Sequence, residues 1–435
     1  MQKRTRVALA TAAATAMLVT ACSQGETEGG TTTADGELSG TCTILQYEAA
    51  TTAQYKGWER ALEIFSETYP EVDLEWSTTS FDAIRANAKI LLSGNEVPDV
   101  LLFNTGNADG GQLASQGLLD PITEVVDANG WSDEITGSVA ALARYDENGN
   151  AGSGDWYGVP NTASYFTFYY NKDMLAEQGF DAPPTTIAEL EEMFDAFLAD
   201  GVTPVSSNAG EHAVLQTWWQ LVSSVADRKQ IDDFILLQGP VDTSSGAFIE
   251  GTTKLQDWLE AGYLGEQLAG IKGDEMERAF IAGEFPFMAN GTWSFSRVND
   301  ESAFDWGTFT FPEAELNAGA SGHLWGIPAN AKNKACGEAW IDITLSPEVQ
   351  NLIANEGGIP VMGDTAAIED PKIKEMNEQF DAIKEADALS FYPDYPVPGL
   401  LDLQMSELQS MANGSTDAES FMKTMQEFYD SGSQS

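Results

Sequence analysis

Segments with strand and helix patterns alternate in the first quarter of the chain, and this order constrains the fold more than any other feature. Short apolar strands are predicted at 43–47 and 72–76, and apolar residues recur at helical spacing over 58–65 and 81–91. The run 100–103, VLLF, is apolar throughout, as is typical of a strand buried on both faces of a parallel sheet. This βαβαβ order predicts a doubly wound α/β unit, in which ligands bind beyond the carboxyl ends of the strands.

The length of 435 residues favours two such units, because a single hydrophobic core stops growing at roughly 250–300 residues. Within the stretch 155–175, a Gly-Val-Pro turn precedes a run in which Phe166, Phe168 and Tyr170 occupy every second position. That period is the period of a strand, and a short helix is predicted directly after it, at 171–179. We predict that the chain leaves one lobe and enters another here, with a ligand held between the two lobes.

The N-terminus has the pattern of a bacterial export signal. Three basic residues within the first six precede an apolar run at 7–19, which is shorter than the about 20 residues of a membrane-spanning helix. The run ends in LVTAC, which resembles the bacterial lipobox and predicts that residues 1–21 are a signal peptide and that Cys22 is lipidated. The alternative is an ordinary secretory peptide followed by a chance cysteine.

Residues 22–40 are rich in Gly, Ser, Thr and Glu and contain almost nothing to bury. We therefore interpret them as a flexible tether between a lipid anchor and the folded chain. The predicted location is extracytoplasmic, at the cell membrane. Because that compartment is oxidising, Cys42 and Cys336 are predicted to form a disulfide, the alternative being two separate buried thiols.

The balance of 21 basic and 68 acidic residues gives a net charge of −47, which argues against nucleic acid and polyanionic ligands. Two histidines are too few to indicate a metal site, and no cofactor is expected. Asp146, Asn148 and Asn150 have the spacing of the first ligands in a calcium-binding EF-hand loop. However, such a loop requires glycine at its sixth position and glutamate at its twelfth, and these positions are Ala151 and Tyr157 here. We interpret 146–154 as a hairpin tip instead.

Two helix starts are predicted from capping boxes, in which a threonine and a glutamate three residues later exchange hydrogen bonds with the backbone. One pairs Thr186 with Glu189, and the other pairs Thr416 with Glu419 at the last helix of the chain.

Several motifs occur in an order that resembles one protein family. They are VPDV at 97–100, WYGVP at 156–160 with YYNKDM at 169–174, PPTT at 183–186, FIAGE at 280–284 leading to GTW at 291–293, IP at 327–328, SPEVQ at 346–350 and GIP at 358–360. Together they cover nearly all of the mature chain. They resemble the extracellular solute-binding proteins of bacterial ABC importers, in particular the carbohydrate-binding family that includes maltose-binding protein.

The resemblance implies two doubly wound α/β lobes joined by three hinge crossings. The crossings are expected near 161–164, 321–324 and 363–367. The N-terminal lobe would then comprise 41–161 and 324–363, and the C-terminal lobe 162–323 and 364–435. This arrangement places Cys42 and Cys336 in one lobe, so that a disulfide would leave the hinge free.

The resemblance also implies a monomeric receptor, without enzymatic activity, that binds a sugar or oligosaccharide between its lobes and delivers it to an ABC permease. Sugars need flat aromatic platforms and polar side chains. The candidate ligand contacts are Trp293 as the stacking residue of the GTW motif, Tyr47 and Glu48 after the first strand, Asn104 and Asn107 after the VLLF strand, Asn161, Ser164 and Tyr165 at the first crossing, Trp219, Trp325 and Tyr392.

Three other functions stay open at this point. A secreted glycoside hydrolase needs two carboxylates, for which Glu48 and Asp394 are candidates, although no hydrolase motif is present. A receptor on the same scaffold could take a non-carbohydrate solute such as a polyol, a phosphorylated polyol or a peptide, and a phosphate group would need a basic residue such as Arg297. An adhesive surface lipoprotein is the third alternative.

Overall fold

The computed structural model describes residues 38–433 as two large β-sheets and one two-stranded sheet, flanked by helices. The predicted signal peptide 1–21, the predicted lipidation site Cys22 and nearly all of the predicted tether 22–40 lie outside the described residues.

The first part of the chain alternates strands and helices, as its apolar spacing predicts. Its elements are β1 (Gly40–Gln46), α1 (Ala53–Thr68), β2 (Val72–Thr78), α2 (Phe81–Leu92), β3 (Val100–Phe103), α3 (Gln112–Ser115), α4 (Thr123–Ala128), α5 (Trp131–Glu134), α6 (Gly137–Ala141), β4 (Arg144–Tyr145), β5 (Asp155–Trp156) and β6 (Val159–Pro160).

The remainder is richer in helix. Its elements are β7 (Thr162–Asn171), α7 (Lys172–Glu177), α8 (Ile187–Ala199), β8 (Val205–Ser206), α9 (Ala213–Val225), α10 (Arg228–Ile235), α11 (Gly246–Ala261), α12 (Gly273–Ile281), β9 (Phe287–Gly291), α13 (Phe295–Glu301), β10 (Trp306–Phe309), β11 (Gly319–Ser321), β12 (Leu324–Gly326), α14 (Lys334–Thr344), α15 (Pro347–Asn355), β13 (Ile359–Pro360), α16 (Pro371–Glu385), α17 (Leu400–Ala412) and α18 (Ala418–Gly432).

The first sheet has the strand order β2-β1-β3-β12-β6. The strand β1 pairs in parallel with both β2 and β3, whereas β12 runs antiparallel to β3 and β6. All four side chains of β3 are buried, as expected for a central strand covered on both faces. Helices α1, α14 and α15 pack together, and α14 packs against β1 and β3 of this sheet.

The second sheet is organised around β7, a strand of ten residues. It pairs antiparallel with β10 and β9, and β8 adds to β9 in parallel. The short strands β11 and β13 pair with the first residues of β7. The predicted α/β class with two sheet-centred lobes is therefore the fold that the chain adopts.

The chain passes between the two sheets at three neighbouring places. A single residue, Asn161, separates β6 from β7, and Gly322 and His323 separate β11 from β12. The third passage differs from the prediction, because Ile359 and Pro360 of β13 already pair with β7. The chain has therefore already reached the second sheet at residues 359–360, before the predicted crossing at 363–367. The limits of the lobes themselves stay a prediction.

The capping prediction is confirmed at one helix and wrong at the other. Thr186 and Glu189 form a reciprocal capping box at the start of α8. At α18 the cap is Asp417, whose carboxylate accepts a hydrogen bond from the Ser420 backbone N–H. A carboxylate one position further along therefore replaces the hydroxyl of Thr416.

The hairpin interpretation of 146–154 is confirmed. Strands β4 and β5 pair antiparallel on either side of this loop. The Asp146 carboxylate accepts hydrogen bonds from the backbone N–H groups of Asn148 and Asn150, both at 2.9 Å, so it closes the turn. In 38–433 no group of three or more potential metal ligands occurs, and no helix there is long and apolar enough to cross a membrane.

A disulfide joins Cys42 of β1 to Cys336 of α14, with 6.0 Å between the Cα atoms. Both residues are fully buried in the first sheet's core, and they are 294 positions apart in sequence. The bond therefore ties the first strand of the chain to a helix that returns from the other sheet. It constrains the unfolded chain without bridging the three passages between the sheets.

Replacing both cysteines by alanine is expected to lower the free energy of unfolding by about 2–4 kcal/mol, because the unfolded chain gains freedom. Chemical denaturation of the oxidised wild type and of Cys42→Ala/Cys336→Ala measures the difference. Ligand affinity should stay within about twofold, because neither residue lines the cavity described below. Equal stability of the two proteins would contradict the proposed contribution.

Candidate ligand-binding site

A cavity of about 520 Å³ lies between the two sheets, next to the three passages of the chain. Its first wall comes from the loop after β1, the start of α2 and the end of β3. Its second wall comes from the starts of α9 and α12, the turn after β9 and the segment 392–395. This is the position that a doubly wound fold predicts, because loops at strand ends converge there.

The first wall presents Glu48, Phe81 and Asn104. The Glu48 Oε1 atom lies 2.9 Å from Nδ1 of His323, which belongs to the second passage. The imidazole of His323 also stacks on Phe81, with ring centroids 5.4 Å apart and an interplanar angle of 29°. The acidic side chain, the imidazole and the phenyl ring therefore fix one another at the edge of the cavity.

The opposite wall presents Trp293 in the turn that follows β9. A Cβ atom on Gly291 would lie 1.9 Å from Cζ3 of this indole, so only glycine allows the ring to lie against the backbone. Trp293 meets the ring of Tyr392 edge to face at 6.3 Å. The Tyr392 hydroxyl is 2.9 Å from Oγ of Ser164, which joins the aromatic pair to the first residues of β7.

Arg297 occupies the base of this second wall and is engaged by several carboxylates. Its Nη1 atom lies 2.8 Å from Glu277 and 3.0 Å from Asp274, and its Nε atom lies 3.4 Å from Glu301. Burial lowers the pKa of Arg297, but the hydrogen bond and charge of Glu277, with Asp274 and Glu301, raise it overall. The positive charge is thus compensated within the protein.

Arg85 joins the two walls through a second group of charges. Its Nη2 atom lies 2.7 Å from Asp109, and its Nη1 atom lies 3.1 Å from Asp394, which lines the cavity from the other side. The Asp394 contact is an ion pair by distance and is not aligned as a hydrogen bond. Burial opposes the charge of Arg85, yet the carboxylates of Asp394 and Asp109 raise its pKa. Burial raises the pKa of Asp109 despite the arginine beside it.

Five of the predicted contact residues line this cavity. They are Glu48, Asn104, Ser164, Trp293 and Tyr392. Asn104 donates from Nδ2 to Asp109 at 2.7 Å, so its amide is oriented by the Arg85 group. Their contact with a ligand stays a prediction.

Two residues predicted at the first crossing do not line the cavity. Tyr165 is fully buried, and its hydroxyl donates to Oε1 of Gln379 at 2.8 Å on α16. The reason is the alternation of β7, which directs Ser164 to the cavity and the next side chain to the opposite face. Asn161 is buried, and its Oδ1 atom accepts a hydrogen bond from Nε1 of Trp58 at 2.9 Å.

The predicted contacts Trp219 and Trp325 belong to the hydrophobic cores. Trp219 lies on the inner side of α9 and donates from Nε1 to the Phe391 carbonyl at 3.0 Å. Trp325 packs edge to face on Trp58 at 4.9 Å and on Trp340 at 5.5 Å. Both are fully buried, because α9 and β12 are covered on the sides that carry these rings.

Tyr47 and Asn107, which were also predicted to contact the ligand, do not line the cavity and hold parts of the protein together instead. The ring of Tyr47 packs against His323 at 4.9 Å, behind the surface of the cavity. The Asn107 amide donates to the Ile235 carbonyl at 3.1 Å and accepts from the Ala151 N–H at 2.7 Å. Its donor and its acceptor are both occupied, so it ties a loop of the first wall to α10.

The structure adds lining residues that were not among the predicted sugar contacts, although Arg297 and Asp394 were candidates for the alternative functions. They include Phe81, Glu211, His212, Gln216, Asp274, Glu277, Asn290, Arg297, Ser321, His323, Asp394 and Tyr395. One signal in the sequence could have indicated two of these residues. The chain has only two histidines, His212 and His323, and both line the cavity. Phe81 had been interpreted only as part of the apolar stripe of α2. The others lie far apart in sequence and have no common pattern.

The sequence profile of the bacterial extracellular solute-binding proteins matches residues 60–381. The chain belongs to this family. This solute-binding protein is 23% identical over 360 residues to the maltooligosaccharide ABC transporter solute-binding lipoprotein of Streptococcus pneumoniae serotype 4, covering 79% of its own length and 77% of that relative. It is 24% identical over 313 residues to the maltotriose-binding protein of Pyrococcus abyssi, covering 66% and 59% of the two chains.

Solved structures show the same fold. A chitin oligosaccharide binding protein superimposes with a TM-score of 0.77 at 20% identity, covering 91% of the solute-binding protein and 100% of that chain. The GacH receptor of Streptomyces glaucescens gives a TM-score of 0.74 at 22% identity, covering 91% and 98%. The family consists of binding proteins, so the glycoside hydrolase interpretation is wrong and the chain is not an enzyme. Glu48 and Asp394 do line one cavity, but they are paired with His323 and Arg85.

Trp293→Ala is expected to weaken ligand binding about tenfold or more, because it removes the apolar face that a ligand would cover. Gly291→Ala should have a similar effect with the indole still present, since the new methyl group displaces the ring. Calorimetry measures both affinities, with Gly270→Ala as the matched control, because a Cβ atom there meets no atom within 4 Å. If Gly291→Ala bound as tightly as Gly270→Ala, the position of the indole would not matter for binding.

Proposed function

We propose that this solute-binding protein captures a sugar or oligosaccharide in the cavity between its lobes and delivers it to an ABC permease. The observation that carries the proposal is the pairing of an aromatic face with many polar side chains in one cavity. Trp293 and Tyr392 supply the apolar faces that sugar C–H groups contact. The carboxylates, amides and hydroxyls around them supply partners for sugar hydroxyl groups.

The relatives support the same class of ligand. Their names describe maltooligosaccharide and maltotriose binding, and the solved structures include complexes with acarbose and raffinose and a chitin oligosaccharide binding protein. The name of the Streptococcus pneumoniae relative also supplies the partner, an ABC transporter. Together they favour an oligosaccharide receptor over an adhesive lipoprotein.

The charges of the cavity argue against an anionic solute such as a phosphorylated polyol. Arg297 is the one arginine or lysine among the described residues that line it, and three carboxylates surround that guanidinium. Glu48, Glu211 and Asp394 line the remaining wall. A phosphate or carboxylate group would have to displace an internal ion pair before it could bind.

Delivery requires that the lobes respond to the ligand. Cavity residues come from both walls, and Arg85 of α2 reaches Asp394 across the gap between them. A ligand that contacts both walls would favour the arrangement in which they are close, so its affinity difference between open and closed forms would drive closure.

Titration calorimetry against a panel of sugars tests the proposal. The panel contains maltose, maltotriose, raffinose, chitotriose, xylotriose and galactose, with glucose 6-phosphate and a tripeptide as controls. We expect saturable binding of at least one neutral sugar, and binding of the phosphate ester at least about tenfold weaker. Binding of the tripeptide alone, or no binding of any sugar, would refute the proposal.

We also propose that Cys22 is lipidated and holds a monomeric receptor at the outer face of the cell membrane. The signal sequence, the tether composition and the lipoproteins among the relatives support this. The acidic surface disfavours any binding to an anionic bilayer by charge alone.

Cys22→Ser is expected to move the protein from the membrane fraction to the medium or the soluble extracytoplasmic fraction. Immunoblots of fractionated cells measure the distribution, and mass spectrometry of the wild-type N-terminus measures the added lipid. Light scattering of a chain beginning at residue 38 should give the mass of a monomer. An unchanged distribution of the variant would contradict the anchor.

A further inference from the structure

Two polar groups in the cavity wall are buried and lack a hydrogen-bond partner within residues 38–433. They are Oε1 of Gln216 on α9 and Oγ of Ser321 on β11. Gln216 is 6% exposed and Ser321 is 1% exposed, and both line the cavity. One comes from the second wall and the other from a strand that leads into a passage between the sheets.

Such groups are uncommon in folded proteins, because a buried polar atom without a partner loses its hydrogen bond to water. Several other polar groups of the cavity are paired inside the chain, as Glu48 is with His323 and Arg297 is with Glu277. Gln216 and Ser321 therefore provide hydrogen-bonding capacity that the protein itself does not use.

The neighbouring glutamine on the same helix shows the contrast. Gln220 lies one helical turn after Gln216 and is fully buried. Its Nε2 atom donates to the Leu316 carbonyl at 3.2 Å, and its Oε1 atom accepts from the Ala318 N–H at 2.9 Å. Gln220 does not line the cavity. Two glutamines one turn apart thus have different positions, one bonded within the lobe and one unpaired at the cavity.

We propose that Gln216 and Ser321 contact hydroxyl groups of the ligand, and that the amide oxygen of Gln216 selects the ligand by accepting a hydrogen bond from one of them. The proposal rests on the proposed function and adds specificity residues to it. An amide oxygen only accepts, so its partner must carry a donor. A neutral saccharide hydroxyl provides one, whereas a sugar phosphate or a uronic acid carboxylate places only acceptors there.

The test compares two isosteric substitutions on one helix. Gln216→Met and Gln220→Met keep an unbranched side chain of similar length and remove the amide. Maltotriose is the probe for calorimetry, and thermal unfolding without sugar is the second measurement.

For Gln216→Met we expect affinity about three- to tenfold weaker than the wild type, with Tm unchanged or higher, because an unpaired buried group is removed. Gln220→Met should instead lower Tm by about 2–4 °C, because it leaves the Leu316 carbonyl and the Ala318 N–H unpaired. Its affinity should stay close to the wild-type value. Ser321→Ala should behave like Gln216→Met.

Monodeoxy analogues of maltotriose identify the partner hydroxyl. In the wild type, the analogue that lacks the partner hydroxyl should bind more weakly than maltotriose. In Gln216→Met, the same analogue and maltotriose should bind with equal affinity. This coupling would not arise if the glutamine acted only on the fold.

The outcomes separate the two proposals. A wild-type chain that binds no sugar of the panel overturns the proposed function and the inference that rests on it. A wild-type chain that binds maltotriose, or another sugar of the panel used in its place, together with unchanged affinity in Gln216→Met and Ser321→Ala, overturns the inference alone. If Gln216→Met lowered Tm as much as Gln220→Met does, Gln216 would have a structural role, and the inference would likewise be overturned.

Discussion

The pairing of β7 with four other strands is the interaction on which the second lobe and the cavity depend. This strand hydrogen-bonds to β9 and β10 along most of its length and to β11 and β13 at its beginning. Because strand side chains alternate, its first residues divide between two environments. Ser164 faces the cavity, whereas Tyr165 is buried against α16. The pairing register of β7 therefore places the Ser164 hydroxyl at the cavity and Tyr165 in the core behind it. It also determines where the three passages of the chain lie next to one another.

Charge compensation is the second constraint, since the chain is strongly acidic. Two arginines near the cavity form ion pairs with several carboxylates. Arg85 and Arg297 each contact at least two of them. Burial of the Asp109, Asp394 and Glu277 carboxylates would be unfavourable without these partners. The result is a wall rich in hydrogen-bond acceptors with no uncompensated cation among the described lining residues, which suits a ligand rich in neutral donors.

Local sequence patterns predicted much of the fold. The spacing of apolar residues located β1, α1, β2, α2 and β3, and a capping box located the start of α8. The motif Gly291-Thr292-Trp293 located the aromatic residue of the second wall through its resemblance to the family. The structure adds the steric reason for the motif, because the indole ring leaves no room for a Cβ atom on Gly291. The helix start at α18 was misplaced by one residue, because two adjacent residues, Thr416 and Asp417, are both able to cap it.

By itself, the sequence determined the α/β class and predicted a cavity at the strand ends, because the periodicity of apolar residues is a local property. The family and the three crossings between two lobes came from the resemblance of its motifs to the solute-binding proteins. Only the tertiary structure decided which aromatic and amide side chains reach the cavity. Trp219, Trp325 and Asn107 have the residue types of a sugar site, yet packing and internal hydrogen bonds occupy them. Gln216, His212 and Arg297 reach the cavity because distant segments meet there. Whether a polar side chain is paired inside the protein or left unpaired at a cavity depends on neighbours remote in sequence, and no local pattern encodes that.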